Sequence, residues 1–142
     1  MATARTATTS WAGSLKDGAG QVSLESSGIG TYDVSWPARA EEANGKTSPE
    51  ELIAAAHSSC FSMALSGALS KADTPPQSLK TKADVTFEPG AGITGIHLTV
   101  VGRVDDISEE DFVAAANDAK ENCPVSQALA GVKSITLDAS LA

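Results

Sequence analysis

From Leu52 to Ser70 the chain carries no formally charged residue, and a run of that length has few ways to fold. The signals at its head select a helix. Ser48 can accept from a backbone N–H of the first turn, and Pro49 suits the first helical position, where its missing donor is not needed. Glu51 lies three residues after Ser48, at capping-box spacing. The stretch 48–71 therefore reads as one helix, roughly 35 Å long at about 1.5 Å per residue. With no charge on any side it is expected to be buried almost all round. It does not read as a membrane span: serines, His57 and Gly67 interrupt it, and no basic flank follows the positive-inside pattern.

The chain has 142 residues, which predicts a single domain over 1–142. An apolar content of 42% can supply a core, but aromatics are only 4%, so small residues must bring backbones close together. The net charge of −8 argues against nucleic acid and against anionic membrane surfaces as partners. The polar N-terminus MATARTATTS lacks the apolar segment of a signal peptide. The expected location is thus the cytoplasm, a reducing compartment. Two thiols there are more often redox-active, catalytic or metal-bound than a permanent staple.

Around the helix the pattern alternates as in strands. Residues 7–15 around Trp11, 20–25 with Val22 and Leu24 on one face, and 31–36 read as three strands, with Pro37 ending or edging the third. Asn44-Gly45 marks a turn. After the helix, Ala83, Val85 and Phe87 alternate with Lys82, Asp84 and Thr86 in a strand over 79–88. The returning strand puts Ile96, Leu98, Val100, Gly102 and Val104 on one face and His97, Thr99, Val101 and Arg103 on the other. A second helix over 108–122 is capped by Ser108, with Phe112, Val113, Ala116 and Ala119 as its buried stripe. A short helical turn begins at Cys123-Pro124, and 133–141 closes as a strand. The fold class is α+β.

Two cysteines stand out. Cys60 lies mid-helix, where an inert core residue is one reading. Cys123 precedes Pro124 at the start of a short helix, where backbone N–H groups favour thiolate, so helix-end electrostatics alone select Cys123 as the reactive thiol. Cys60 needs a cation from elsewhere to ionise. Arg39 is the candidate, although a surface pairing with Glu41 or Glu42 would also account for it. Glu51 has a capping role and Glu50 is left over. Glu50 and Cys60 are ten residues apart in sequence, about 15 Å along a helix axis. If both serve one site, the acid comes from a second chain or acts through a flexible arginine, which makes a shared homodimeric site attractive. His57 shares a face with Cys60. A zinc set of His57, Cys60, Cys123 and His97 lacks a close-spaced cysteine pair and puts His97 on the outward face, so a satisfied core histidine is the better reading and no metal is expected.

Thr47-Ser48-Pro49-Glu50-Glu51-Leu52-Ile53, Ala55-Ala56-His57, Cys60-Phe61-Ser62-Met63-Ala64-Leu65 and Cys123-Pro124-Val125-Ser126-Gln127 together closely resemble the OsmC/Ohr family, in its OsmC branch. The resemblance implies an OsmC-like α+β fold: a β-meander, a long buried central helix, a second β-hairpin and helix, and two subunits intertwined with active sites at their interface. It implies that Cys60 is the peroxidatic cysteine, Cys123 the resolving one, and Glu50 and Arg39 the family's glutamate and arginine. It further implies reduction of organic hydroperoxides without metal or organic cofactor, in defence against oxidative or osmotic stress, with a dihydrolipoyl dithiol as reductant. This overrules the helix-end choice of Cys123 as attacker, while leaving it a use for thiolate character in resolution. The competing expectations are a non-catalytic small-ligand-binding or stress-structural dimer with packing cysteines, and a zinc-thiolate protein. Ile53 and Phe61 are expected among the apolar walls of the substrate site.

Overall fold

The computed structural model describes residues 1–142. The chain divides into two compact units, Met1–Leu52 and Ile53–Ala142. In the first, β1 (Thr8–Ala12), β2 (Ala19–Ser23) and β3 (Thr31–Val34) form an antiparallel meander in the order β1-β2-β3. Val22 is buried on the middle strand. The 43–46 turn closes with the Lys46 N–H on the Ala43 carbonyl at 2.9 Å. Asn44 (φ 50°) and Gly45 (φ 81°) both sit in the left-handed region that such a turn requires.

The third strand is shorter than its alternation suggests. Ser35 stops it by accepting from the Ala38 N–H at 3.2 Å, and Trp36–Ala40 forms a one-turn helix, α1, with Pro37 in its first turn. A proline there loses no hydrogen bond, so a residue expected to end a strand instead starts a helix. Arg39 consequently sits in the last turn of α1 rather than beyond a strand.

The long helix, α2 (Pro49–Lys71), starts as its cap signals require. Ser48 Oγ accepts from the Glu51 N–H at 3.1 Å, and the Glu51 carboxylate takes the Thr47 hydroxyl at 2.5 Å. The expectation of burial almost all round does not hold within one chain. His57, Phe61, Leu65 and Leu69, four residues apart, form a single buried stripe. Ala56, Ser59, Met63, Gly67 and Ser70 lie exposed, with Met63 at 74%. Lack of charge predicted burial, but one helix face is enough to fill the core of a unit this small. By length and composition α2 is apolar enough to cross a membrane; its stripe instead packs a protein core.

In the second unit, β4 (Pro76–Glu88) and β5 (Gly92–Val104) make a long antiparallel hairpin, and β6 (Ile135–Leu141) pairs with β5 in parallel, in the order β4-β5-β6. β4 begins at Pro76, three residues before its apolar alternation does; a proline costs no ladder bond at a first position. Ile96, Leu98, Val100 and Gly102 are buried and Val101 is exposed, as the alternation predicts. Between β5 and β6 run α3 (Glu109–Asn122), capped by Ser108 on the Asp111 N–H at 3.1 Å, and α4 (Pro124–Ala128). The apolar stripes of α2 and α3 join the inner face of β5 in one core: Phe61, Leu65, Leu69, Leu98, Val100, Phe112, Ala116, Ala119 and Cys123. Val113 is only partly buried, at the edge of its stripe.

Gly102 sets how closely α3 approaches. A Cβ there would lie 2.6 Å from the Phe112 ring, which is itself fully buried. Gly102→Ala is expected to cost about 1–3 kcal/mol by overpacking, read as a lowered denaturant midpoint at unchanged slope. An unchanged midpoint would show that α3 adjusts freely.

Candidate active site

Four residues selected from the sequence form two pairs. In the first unit, Arg39 reaches Glu50 on the opening turn of α2. Its Nε donates to Glu50 Oε1 at 3.0 Å and Oε2 at 3.2 Å, and Nη2 donates to Oε2 at 3.0 Å. Glu50 is 6% exposed, and a carboxylate so buried requires a charged, well-oriented partner. Arg39 is therefore held by Glu50 rather than by Glu41 or Glu42. Glu51 spends its carboxylate on the cap, which leaves Glu50 for this pairing. An apolar groove of about 380 Å³ in the same unit includes Trp11, Leu15, Trp36 and Leu52 and runs beside Arg39.

In the second unit, Cys123 Sγ lies 3.1 Å from Cys60 Sγ. Both are free thiols, Cys123 fully buried and Cys60 partly so. Cys60 is placed by its neighbour Phe61, which anchors α2 in the core. Cys123 is placed by being the last residue of one helix and the first of another. Its N–H closes α3 on the Ala119 carbonyl at 2.9 Å, and Pro124 then opens α4.

This position makes the two sulfurs unequal. For Cys123 burial is the largest single influence and opposes ionisation. The Ser126 N–H, the Cys60 thiol, the Ser126 hydroxyl and the Val125 N–H together outweigh it and hold the thiol below its ordinary range. Burial pushes Cys60 up, against the Val125 N–H, and the neighbouring Cys123 adds to the rise. Within one chain, Cys123 is thus the more acidic thiol, in keeping with the helix-end reading.

His57 lies fully buried, with Nε2 2.7 Å from Ser126 Oγ and no partner for Nδ1. Burial lowers its pKa, so the ring is neutral. It is a core histidine, but one satisfied on a single side. His97 belongs elsewhere: on the outer face of the sheet it pairs with Thr136 Oγ1 at 2.6 Å and Asp138 Oδ2 at 3.1 Å. It does not join His57 and the thiols as a zinc ligand. Phe61 is fully buried in the core and therefore is no wall of an accessible pocket. Ser126 was not singled out in the sequence; its signal was its place three residues after Cys123, one helical turn from the sulfur it serves.

The mutual influence of the thiols has a measurable signature. Each affects the other's ionisation, so the reduced pair is expected to lose its protons in two separated steps. Cys60→Ala and Cys123→Ala should each show a single step lying between those two, followed by thiolate absorbance against pH. Single-variant values that reproduce the two wild-type steps would mean that the sulfurs do not interact.

Comparison with known proteins places the chain in a family. Residues 42–138 match the family described as OsmC-like protein. The chain is 42% identical over 134 residues to peroxiredoxin OsmC of Escherichia coli (strain K12), covering 92% of each chain. It is 27% identical over 112 residues to the organic hydroperoxide resistance protein OhrB of Bacillus subtilis (strain 168), covering 78% of this chain and 82% of that one. The fold superposes on an OsmC-like protein from Mycoplasma pneumoniae with a TM-score of 0.74 at 14% identity, over 99% of each chain. The chain is a member of the OsmC-like family.

Proposed function

We propose that this protein is a cysteine-based peroxidase that reduces organic hydroperoxides to alcohols, in defence against oxidative stress, with Cys60 as the attacking sulfur and Cys123 as the resolving one. The observation that carries this reading is the 3.1 Å approach of two free thiols with unequal environments. The names of the relatives, a peroxiredoxin and an organic hydroperoxide resistance protein, support the same chemistry.

The Cys60 thiolate attacks the terminal peroxide oxygen. An S–O bond forms, the O–O bond breaks, and the departing alkoxide takes up a proton to leave as alcohol. Cys60 is now a sulfenic acid. Cys123 thiolate attacks its sulfur, the S–S bond forms, and hydroxide leaves with a proton as water. A dithiol, for which a dihydrolipoyl group is our candidate, reduces the disulfide, becomes oxidised itself and returns both thiols. A depressed Cys123 pKa helps both the attack and the later departure.

Cys60 requires a cation to carry the charge in the first step, because burial holds its own pKa up. We assign that role to Arg39, fixed by Glu50, in a homodimer that brings the pair of one subunit to the thiols of the other. Glu50 and Cys60 are ten positions apart on α2, about 15 Å along the axis, which keeps them from meeting within one helix. The uncharged, exposed face of α2 around Met63 is the surface such a dimer would cover. The groove beside Arg39, with Trp11, Trp36 and Leu52 on its walls, offers apolar surface to the hydrocarbon part of the peroxide. Free thiols suit a reducing location, and we place the protein in the cytoplasm.

Cys60→Ser is expected to abolish peroxide consumption, whereas Cys123→Ser should leave one turnover per chain and a trapped sulfenic acid. Arg39→Ala should slow the first oxidation by about a hundredfold, on the scale of losing one oxyanion donor. Continued turnover by Cys60→Ser would reverse the thiol roles, and an unchanged rate in Arg39→Ala would require another cation. Inertness of the wild-type thiols to peroxide would favour the non-catalytic ligand-binding dimer.

A further inference from the structure

His57 is used by no step above, yet it occupies one of the most enclosed positions in the chain. It is 0% exposed, and its Nε2 makes a 2.7 Å hydrogen bond to Ser126, which is itself 6% exposed. Ser126 stands three residues after Cys123, in the turn of α4 that Cys123 opens, and both its N–H and its hydroxyl favour the Cys123 thiolate. The hydroxyl has one proton, and two groups compete for it. If Ser126 donates to His57, it can only accept from Cys123 and favours the thiol. If it accepts from His57, its proton is free for the Cys123 thiolate.

The unpartnered Nδ1 decides between these arrangements. A neutral ring protonated on Nδ1 would bury an N–H donor with no acceptor in reach. Protonated on Nε2, it leaves only a lone pair without a partner, the less costly orphan. The geometry points to His57 as a positioning residue: its Nε2–H donates to Ser126 Oγ and thereby commits the Ser126 hydroxyl to the Cys123 sulfur. The relay His57–Ser126–Cys123 joins α2 to the opening turn of α4 and ends on the thiol that must attack the sulfenic acid and later leave. The other ionisable groups around it are Cys60 on α2, and Lys120 and Glu121 on α3. The last two line a groove of about 360 Å³ that also reaches Ser126, and they pair with each other at 3.3 Å.

The inference rests on Cys123 being the resolving thiol, but its test reads ionisation in reduced protein and is independent of peroxidase activity. In a Cys60→Ser background Cys123 is the only thiol, and thiolate absorbance against pH gives its pKa. Ser126→Ala and His57→Leu should each raise it by about one unit, about a tenfold loss of thiolate at a given pH below it, as expected for one hydrogen bond to a charged group. His57→Gln, whose amide N–H can occupy the place of Nε2, should stay close to the background value. His57→Asn, whose shorter side chain falls short of Ser126, should behave like His57→Leu and replaces it if the leucine variant does not fold. Adding His57→Leu to Ser126→Ala should raise the pKa no further. An unchanged pKa in the leucine or asparagine variant, or a glutamine variant shifted as far as either, overturns the inference.

Discussion

A contact of 3.1 Å between Cys60 and Cys123 joins positions 63 residues apart in the chain, and most of the second unit exists to hold it. One sulfur rides on α2, whose place is fixed by Phe61, Leu65 and Leu69 in the core. The other sits where α3 stops and α4 starts, and α3 is held to the same core by Phe112, Ala116 and Ala119. Gly102 lets the Phe112 ring lie against the sheet. A Cβ at position 102 would meet that ring and press α3 away from the sheet. The small-residue composition thus has a geometric use: close packing fixes two thiols within a bond-forming step of each other, a disulfide being about 2.05 Å long.

Proximity alone would give two equivalent thiols. The break between α3 and α4 makes them different, because N–H groups that α4 leaves without helical partners gather at Cys123, while Cys60 keeps a burial penalty only partly offset. The proposed mechanism therefore calls for a cation beside Cys60 and not beside Cys123. The only guanidinium locked to a buried carboxylate is Arg39, and its rigid bidentate pairing with Glu50 is suited to stabilising a fixed point of developing charge. The exposed face of α2, around Met63, carries no charge between Leu52 and Ser70, and it is the face that the proposed dimer would cover.

What could be read directly was what is decided locally. Ser48, Pro49 and Glu51 define the start of α2, Ser108 that of α3, and the alternation from Lys82 to Val104 defines a hairpin with the right face inward. The elements misjudged were those decided by competition or by distant contacts. Trp36 and Pro37 suit a strand end as well as a helix start, and the Ser35 cap settles it. The charge-free run of α2 could not say which of its faces one chain covers. The last strand was expected and is present, but its partner was not predicted, because the parallel pairing of β6 with β5 depends on where α3 and α4 return the chain. At the site, the motifs drew attention to both cysteines and Glu50, and the need for a cation to Arg39, whereas the His57–Ser126 bond spans 69 residues and has no local pattern to announce it.

The central claim is that the two sulfurs of one chain form the redox pair. Its most direct test is to treat reduced protein with about one equivalent of an organic hydroperoxide and map the linkage by mass spectrometry of unreduced peptides. The expected product has lost two hydrogens, gained no oxygen, and contains Cys60 joined to Cys123 within one chain. Cys60 found as a stable sulfinic acid, or joined to a cysteine of another chain while Cys123 remains a thiol, would contradict it.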